Sequence, residues 1–216
     1  MYGVIEVYGI IIKCTPIGEY DKRITILTNT RGKISAFARG ARRQGSPLMG
    51  ATSVFASGTF KLFEGKDSYT LQTVSIDSYF SEILEDVETT CYGTYFLELA
   101  DYYAREYIDE PQMLTLLYLT LKALTRPSIP KKLVRRIYEL RMMVINGEYD
   151  PKPRLAAGEA CEYAWDYIIK TPLKKLYSFV VTDEVYEQLA GNVDDMMARF
   201  LDRKMNSLEV LEAMTG

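Results

Sequence analysis

The sequence predicts an α+β protein of two domains, a small β domain over residues 1–80 followed by an all-α domain over residues 81–216. Two observations lead to this division. Up to Tyr79, apolar and polar residues alternate with period two and the runs break at glycine-containing turns, whereas from Ser81 onward apolar residues recur three and four apart. The chain has 216 residues, 48% of them apolar, which suffices for one large core or two small ones.

The β elements follow in order. Val4 to Cys14 is β-branched and aromatic and reads as the first strand, and Arg23 to Thr28 reads as the second. Asn29-Thr30-Arg31-Gly32 turns the chain into a third strand, Lys33 to Arg39. A fourth run, Thr52 to Phe63, meets a turn at Glu64-Gly65-Lys66-Asp67 and returns as Ser68 to Tyr79. Five short antiparallel strands with a long connection between the third and fourth match a five-stranded OB-type β-barrel better than a sandwich, which usually needs seven. Gly40, Gly45, Pro47 and Gly50 argue against a long helix in that connection.

The helical elements are predicted over Glu82 to Ile108, Gln112 to Thr125, and Lys131 to Ile145, the last stopped by Asn146-Gly147. Pro111 and Pro130 stand at first-turn positions, where a missing N–H costs nothing. A further helix is expected from Glu159 to Lys170. Another starts near Thr182 or Asp183 and is weakened by Gly191-Asn192, and a short one runs from Ser207 to Met214. The aromatic run Tyr92, Tyr95, Phe96, Tyr102, Tyr103 and Tyr107 reads mainly as core by its spacing.

Composition excludes several chemistries. The chain contains no histidine, so Ser-His-Asp and Cys-His nucleophile systems, the H-E-x-x-H zinc motif and imidazole base catalysis are closed to it. Cys14, Cys91 and Cys161 lie about seventy residues apart without a C-x-x-C pair, which argues against a local zinc site and against a disulfide framework. Gly65-Lys66-Asp67-Ser68 resembles the end of a phosphate-binding loop, but Asp67 separates Lys66 from Ser68 and Phe60 stands where a glycine is required, so it reads as a hairpin turn. The acids Glu82, Glu85, Asp86 and Glu88 read as helix-dipole-complementing surface, and Asp194-Asp195 point apart. Apolar runs such as Gly9 to Ile12 are too short to span a membrane and Met1 to Cys14 lacks the features of a signal peptide, so a soluble cytoplasmic protein is expected.

The net charge of −3 conceals a division. Residues 1–80 hold ten Lys/Arg against six Asp/Glu, a balance of +4, and the remainder hold sixteen against twenty-three, or −7. From Lys22 to Phe63 there are eight basic residues and no acid, the footprint of a polyanion partner or of a solvated basic face. Alternation puts Lys33, Ser35, Phe37 and Arg39 on one face of the third strand and Ile34, Ala36 and Ala38 on the other. With the small residues inward, Lys33 and Arg39 flank an outward Phe37 on which a base could stack, and Arg23 and Lys13 extend the patch. The reverse register would make Phe37 core. Arg39, Arg42 and Arg43 form a glycine-flanked set of guanidinium groups suited to a phosphate backbone, and Arg31 is a further nucleic-acid-binding candidate of the basic stretch. In the helical half, Lys131-Lys132, Arg135-Arg136 and Arg141 form a basic cluster that either flanks a groove for an acidic peptide or is an exposed face paired to acids.

The run Gly9-Ile10-Ile11-Ile12-Lys13, then Gly18-Glu19-Tyr20-Asp21-Lys22-Arg23, Thr28 to Ser35 and Ala38-Arg39-Gly40-Ala41-Arg42-Arg43 resembles the amino-terminal domain of the bacterial recombination mediator RecO family. Tyr138 to Arg141 with Asn146-Gly147, and Leu176 to Phe179, are similar to that family's helical domain. The resemblance implies a non-catalytic DNA repair protein. It would bind single- and double-stranded DNA, anneal complementary strands and, with RecR, place RecA on DNA covered by single-stranded-DNA-binding protein. It further implies that the C-terminal tail of that protein is bound, for which Arg135, Arg136 and Arg141 are the candidate residues, and a place in the cytoplasm on the nucleoid. Many family members carry a four-cysteine zinc motif after the position of Asn146-Gly147. Here Asp150-Pro151-Lys152-Pro153-Arg154 leads to a lone Cys161, so no metal and no cofactor are expected. A general OB-fold nucleic-acid-binding module, or an enzyme using a lysine or carboxylate base, are the rival readings.

Overall fold

The structure is a computed structural model that describes residues 3–66, 68–109 and 111–215. The chain forms two compact units, one of Met1–Ser81 with Leu97–Leu114, the other of Glu82–Phe96 with Thr115–Gly216. Among the described residues, no helix is long and apolar enough to cross a membrane.

In the first unit, β1 (Gly3–Ile17), β2 (Asp21–Thr28), β3 (Lys33–Ala38), β4 (Ser57–Glu64) and β5 (Tyr69–Ser78) close into a barrel in the order β1-β2-β3-β5-β4. The long β1 serves two neighbours, pairing with β4 along its first half and with β2 along its second, and its register shifts between Ile11 and Lys13 where it bends from one to the other. Four pairings are antiparallel. The fifth is not: Ala36 and Phe37 of β3 meet Tyr69 and Thr70 of β5 in parallel, a departure from the all-antiparallel expectation. Since β4 is hydrogen-bonded to β1, its hairpin partner β5 is the strand left to close on β3. Ile11, Ile24, Ile26, Ile34, Ala36, Ala38, Phe60 and Leu62 fill the interior.

The connection from β3 to β4 holds only a four-residue helix, α1 (Leu48–Ala51), in keeping with its glycines. β4 starts at Ser57 and not at Thr52, because Thr52 Oγ1 donates to Leu48 O at 2.6 Å and Phe55 takes a left-handed φ of 71° to bury its ring. At the β4–β5 turn Gly65 N donates to Ser68 O at 2.9 Å, while Asp67 lies outside the described residues.

The long helix expected from Glu82 is shorter at both ends. A 3-10 turn covers Ser81–Leu84, and α2 spans Val87–Tyr103. Asp86 caps it, its carboxylate accepting from Thr89 N at 2.9 Å, and Lys131 and then Thr89 hold that carboxyl well below the usual carboxylate range. After Tyr103 the backbone bonds outward to the barrel. Lys33 N donates to Arg105 O at 3.0 Å, Gly32 bridges to Glu106, and Tyr107 N donates to Arg31 O at 3.2 Å. This strap is why 97–114 groups with the barrel. It also overturns the core reading of Tyr107, which is 69% exposed, whereas Tyr92, Tyr95, Phe96 and Tyr103 are buried.

α3 (Pro111–Leu124) begins on its proline and belongs to the second unit from Thr115 onward, and α4 (Lys131–Ile145) has Pro130 as its extended N-cap, one position earlier than expected. Gly147, at φ 75°, ends α4 with Glu148 N donating to Met143 O and Gly147 N to Val144 O, a Schellman closure. α4 packs against α5 (Glu159–Lys170) and α6 (Asp183–Phe200). α6 starts on Thr182, whose hydroxyl accepts from Val185 N, and runs unbroken through Gly191-Asn192, contrary to the expected weakening. The reason is tertiary. Buried Asn192 accepts from Leu155 N at 2.8 Å and donates to Gln188 O, and Gln188 accepts from Gly158 N, so two amides of α6 hold the preceding loop. A 3-10 turn at Leu173–Lys175 and α7 (Asn206–Thr215) complete the order.

Gly32 is the tightest point of the strap. Its φ is 60°, and a Cβ there would stand 2.1 Å from Arg105 O and 2.4 Å from Ile108 O. Gly32→Ala is therefore expected to lower stability to chemical denaturation by about 2 kcal/mol or more, the combined cost of backbone strain and a displaced strap. Wild-type stability in a urea titration would refute the close approach.

Candidate nucleic-acid interface

Strand β3 decides how the barrel face is built. Ile34, Ala36 and Ala38 are buried, and Lys33, Ser35 and Phe37 stand half-buried on the opposite face, so Phe37 is not part of the interior. The strand ends at Ala38, leaving Arg39 in the following loop and not on the strand face as expected. Cross-strand register sets Arg23 between Thr15 and Phe37, with Thr70 beyond, and sets Thr25 between Lys13 and Ser35. Arg23 Nε donates to Ser35 Oγ at 2.7 Å, and its guanidinium lies 6.0 Å from the centre of the Phe37 ring.

The predicted cations divide into two groups. Arg31 pairs with Glu64 at 3.2 Å, and Lys33 Nζ donates to Asp101 Oδ1 at 2.7 Å and to Asp101 O at 2.8 Å. These two are neutralised within the unit. Lys13, Arg23, Arg39, Arg42 and Arg43 are exposed and have no ion pair among the described residues. The loop holding Arg39, Arg42 and Arg43 is fixed without neutralising them. Arg42 N donates to Tyr20 O, Arg42 Nη1 donates to Gly18 O at 3.0 Å, and the Arg43 guanidinium lies 5.3 Å from the centre of the Tyr20 ring. Gly40 N donates to Asp21 Oδ1 at 2.7 Å, and Lys22 Nζ donates to Met49 O at 2.9 Å. Such an array can meet successive phosphates, and the outward Phe37 offers a stacking face.

Sequence reasoning missed Tyr69 and Tyr107 beside this face. Tyr69 Oη donates to Glu64 Oε1 at 2.9 Å, and burial, with smaller contributions from Glu64 and Tyr107, pushes its phenol upward. Tyr107 arrives from the strap, some seventy residues after Phe37, so no local pattern could have placed it there.

The helical cluster is not the open basic surface the sequence suggested. Arg135 and Arg136 are 8% and 6% exposed. Arg135 Nε donates to Glu139 Oε1 at 2.8 Å, and Arg136 Nη1 donates to Glu139 Oε2 at 2.9 Å and to Asp194 Oδ1 at 2.6 Å. Tyr95 Oη adds a bond to Glu139 at 2.7 Å. Arg141 is half-buried and donates to Ile168 O and Ile169 O at the end of α5. The helical spacing that suggested a cationic stripe instead points these groups into the unit, where Glu139 gathers two of them. Burial alone would raise the Glu139 carboxyl; the charges of Arg136 and Arg135, with bonds from Arg135 and Tyr95, overcome this and hold it below its ordinary value of 4.5.

The segment Asp150-Pro151-Lys152-Pro153-Arg154, which leads to Cys161, follows α4. Among the described residues no three Cys, Asp or Glu side chains gather in a metal-binding group, and Cys161 is buried. The segment is held by hydrogen bonds: Trp165 Nε1 donates to Asp150 O at 3.1 Å, Arg199 pairs with Asp150, and Gln188 and Asn192 take the loop amides.

Three outcomes follow from these geometries. Replacing Arg39, Arg42 and Arg43 together by alanine should weaken DNA binding across sequences, while melting stays as in wild type. The salt dependence of log K should flatten by about 0.9 for each phosphate that is no longer neutralised. An unchanged slope would place DNA elsewhere. Arg136→Ala should cost about 3–5 kcal/mol of stability, because it leaves Glu139 buried beside one arginine. Since the folded Glu139 value lies below the unfolded one, its contribution is complete above pH 4.5 and is lost as pH falls through the folded value; Glu139→Gln should lack that part of the acid dependence. Stability of Arg136→Ala equal to wild type in urea would show that the network is not buried.

Comparison with known proteins finds matches in both units. The model for the Recombination protein O N terminal matches residues 1–80, and that for the Recombination protein O C terminal matches residues 84–162. The DNA repair protein RecO of Acetivibrio thermocellus is 26% identical over 240 residues, covering 95% of each chain, and that of Clostridium perfringens is 28% identical over 97% of this chain and 98% of its own. The protein of the same name from Alkaliphilus metalliredigens is 31% identical over 73% of this chain and 63% of its own. With a five-stranded amino-terminal barrel, a helical remainder and matches that run through both, the chain belongs to the RecO family of DNA repair and recombination proteins.

Proposed function

We propose that this chain is a non-catalytic recombination mediator that binds single- and double-stranded DNA through its barrel, anneals complementary strands and, with RecR, helps to load RecA onto DNA covered by single-stranded-DNA-binding protein. The observation that carries the reading is the set of exposed cations Lys13, Arg23, Arg39, Arg42 and Arg43, left without ion pairs among the described residues of a protein whose net charge is −3. A protein of negative overall charge gains nothing from such a patch in solubility. It gains a counterion-releasing contact with phosphates, which carries no sequence preference and so suits a protein acting wherever strands must be joined. With no histidine, the chain has no imidazole to act as a general base. A protein with this role works in the cytoplasm, on the nucleoid.

The tail of single-stranded-DNA-binding protein remains a partner in this reading, but Arg135 and Arg136 are not offered as its contacts, since both are buried and paired with Glu139, and Arg141 is half-buried with its Nη1 on carbonyls of α5.

Annealing of complementary oligonucleotides coated with the cognate single-stranded-DNA-binding protein tests the proposal. The protein should accelerate annealing without nucleotide hydrolysis, and loading of RecA onto the coated strand should require RecR as well. Binding of DNA with annealing no faster than the spontaneous rate would reduce it to a general nucleic-acid-binding module.

A further inference from the structure

The barrel unit carries a cavity of about 220 Å³ between the outward face of β3, the β4–β5 turn and the strap. It is below the 300–1,000 Å³ typical of sites for drug-sized molecules and is far too small for a duplex. Its lining joins Arg23 and Lys66 with three aromatic side chains, Phe37, Tyr69 and Tyr107. Arg31 and Lys33 line it too, with their charges neutralised by Glu64 and Asp101, and Glu106 adds one carboxylate to the lining. Arg23 gives only its Nε to Ser35, and Lys66 is exposed with no partner among the described residues. Cation and stacking face therefore stand side by side.

The strap is what turns an open barrel face into a cavity. Tyr107 holds a left-handed φ of 63°, a strained state for a tyrosine, and the residue is 69% exposed. Exposure of a large residue gives up burial, and the positive φ costs energy as well; both are kept because the backbone is pinned to Arg31 O and the strap is threaded over Gly32. Phe37, by contrast, is half-buried and backed by β2 and β5. One side of the cavity thus presents a fixed aromatic face and another presents a held but accessible one.

We propose that this cavity is a subsite for one unstacked nucleotide of a DNA strand, its base resting against Phe37 and Tyr107 and its phosphate against Arg23 and Lys66. The assignment rests on the DNA binding proposed above and adds a selection to it. Bases in a duplex are stacked and paired, so they cannot enter a one-base cavity without being pulled out. A single strand enters freely. The basic loop at Arg39–Arg43 then grips either form of DNA, while the cavity favours the single strand that annealing must hold.

The test uses the full chain with single-stranded oligonucleotides carrying a fluorescent adenine analogue, duplexes of the same sequence, and free deoxyadenosine monophosphate. Tyr107→Ala should lose about 5- to 150-fold in single-strand affinity, the range of one base–aromatic stack, with duplex affinity and melting unchanged. Tyr107→Phe should bind as wild type, and Phe37→Leu should lose single-strand affinity as Tyr107→Ala does. The quenching of the analogue on binding should vanish in Tyr107→Ala. Unchanged single-strand affinity in Tyr107→Ala, or equal losses on single and double strands, overturns the subsite. So does a free mononucleotide binding as tightly as the oligonucleotide, which would make the cavity a small-molecule site. If the subsite fails while the Arg39/Arg42/Arg43 variant still loses salt dependence, the general DNA-binding reading stands; if wild type binds neither form of DNA, that reading fails first.

Discussion

A five-stranded barrel can close only around an interior filled by side chains that fit its narrow bore, and this constraint orders everything outside it. Ile34, Ala36 and Ala38 of β3 meet it from one strand. Because strand side chains alternate, committing these three inward commits Lys33, Ser35 and Phe37 outward, and a slip of one residue would drive a phenylalanine into space that an alanine now fills. The antiparallel register with β2 then sets Arg23 opposite Phe37, and the parallel pair with β5 brings Thr70 to the other side. The stacking face and the cation next to it are consequences of packing the bore.

Counting basic residues does not describe the electrostatics of that face. The eight cations between Lys22 and Phe63 look equivalent in sequence, yet Arg31 and Lys33 are neutralised by Glu64 and Asp101, acids that lie outside the one-signed stretch. Arg42 and Arg43 use a carbonyl and an aromatic ring for anchorage and so remain charged toward solvent. Anchoring an arginine through a neutral acceptor orders it without cancelling its field, which a salt bridge would do.

The helical unit takes the opposite course. Glu139 is fully buried and binds Arg135, Arg136 and Tyr95 together. A lone buried carboxylate would cost several kcal/mol; two guanidinium groups and a phenol make it tolerable, and the basic surface those arginines could have formed is lost. Internal hydrogen bonding also governs the loop after α4. Asn192, Gln188 and Trp165 hold that segment through hydrogen bonds, and α6 stays continuous where composition suggested a weak point.

Local rules determined much of this protein. The period change near residue 80, Asn146-Gly147 as the stop of α4, Thr182 as a cap and the limits of α4 and α5 are set by interactions within a few residues, and each is legible in the chain. Alternation groups Phe37 with Lys33 and Ser35 but leaves both registers open, and the packed bore decides that this face is the outer one. Tertiary structure decided what depends on distant partners: the strap that ends α2 at Tyr103 and carries Tyr107 to the barrel, the acids that silence Arg31 and Lys33, and the inward turn of Arg135 and Arg136. A sequence records which groups can form a hydrogen bond or an ion pair, but which partner arrives is fixed only when segments tens of residues apart are packed together.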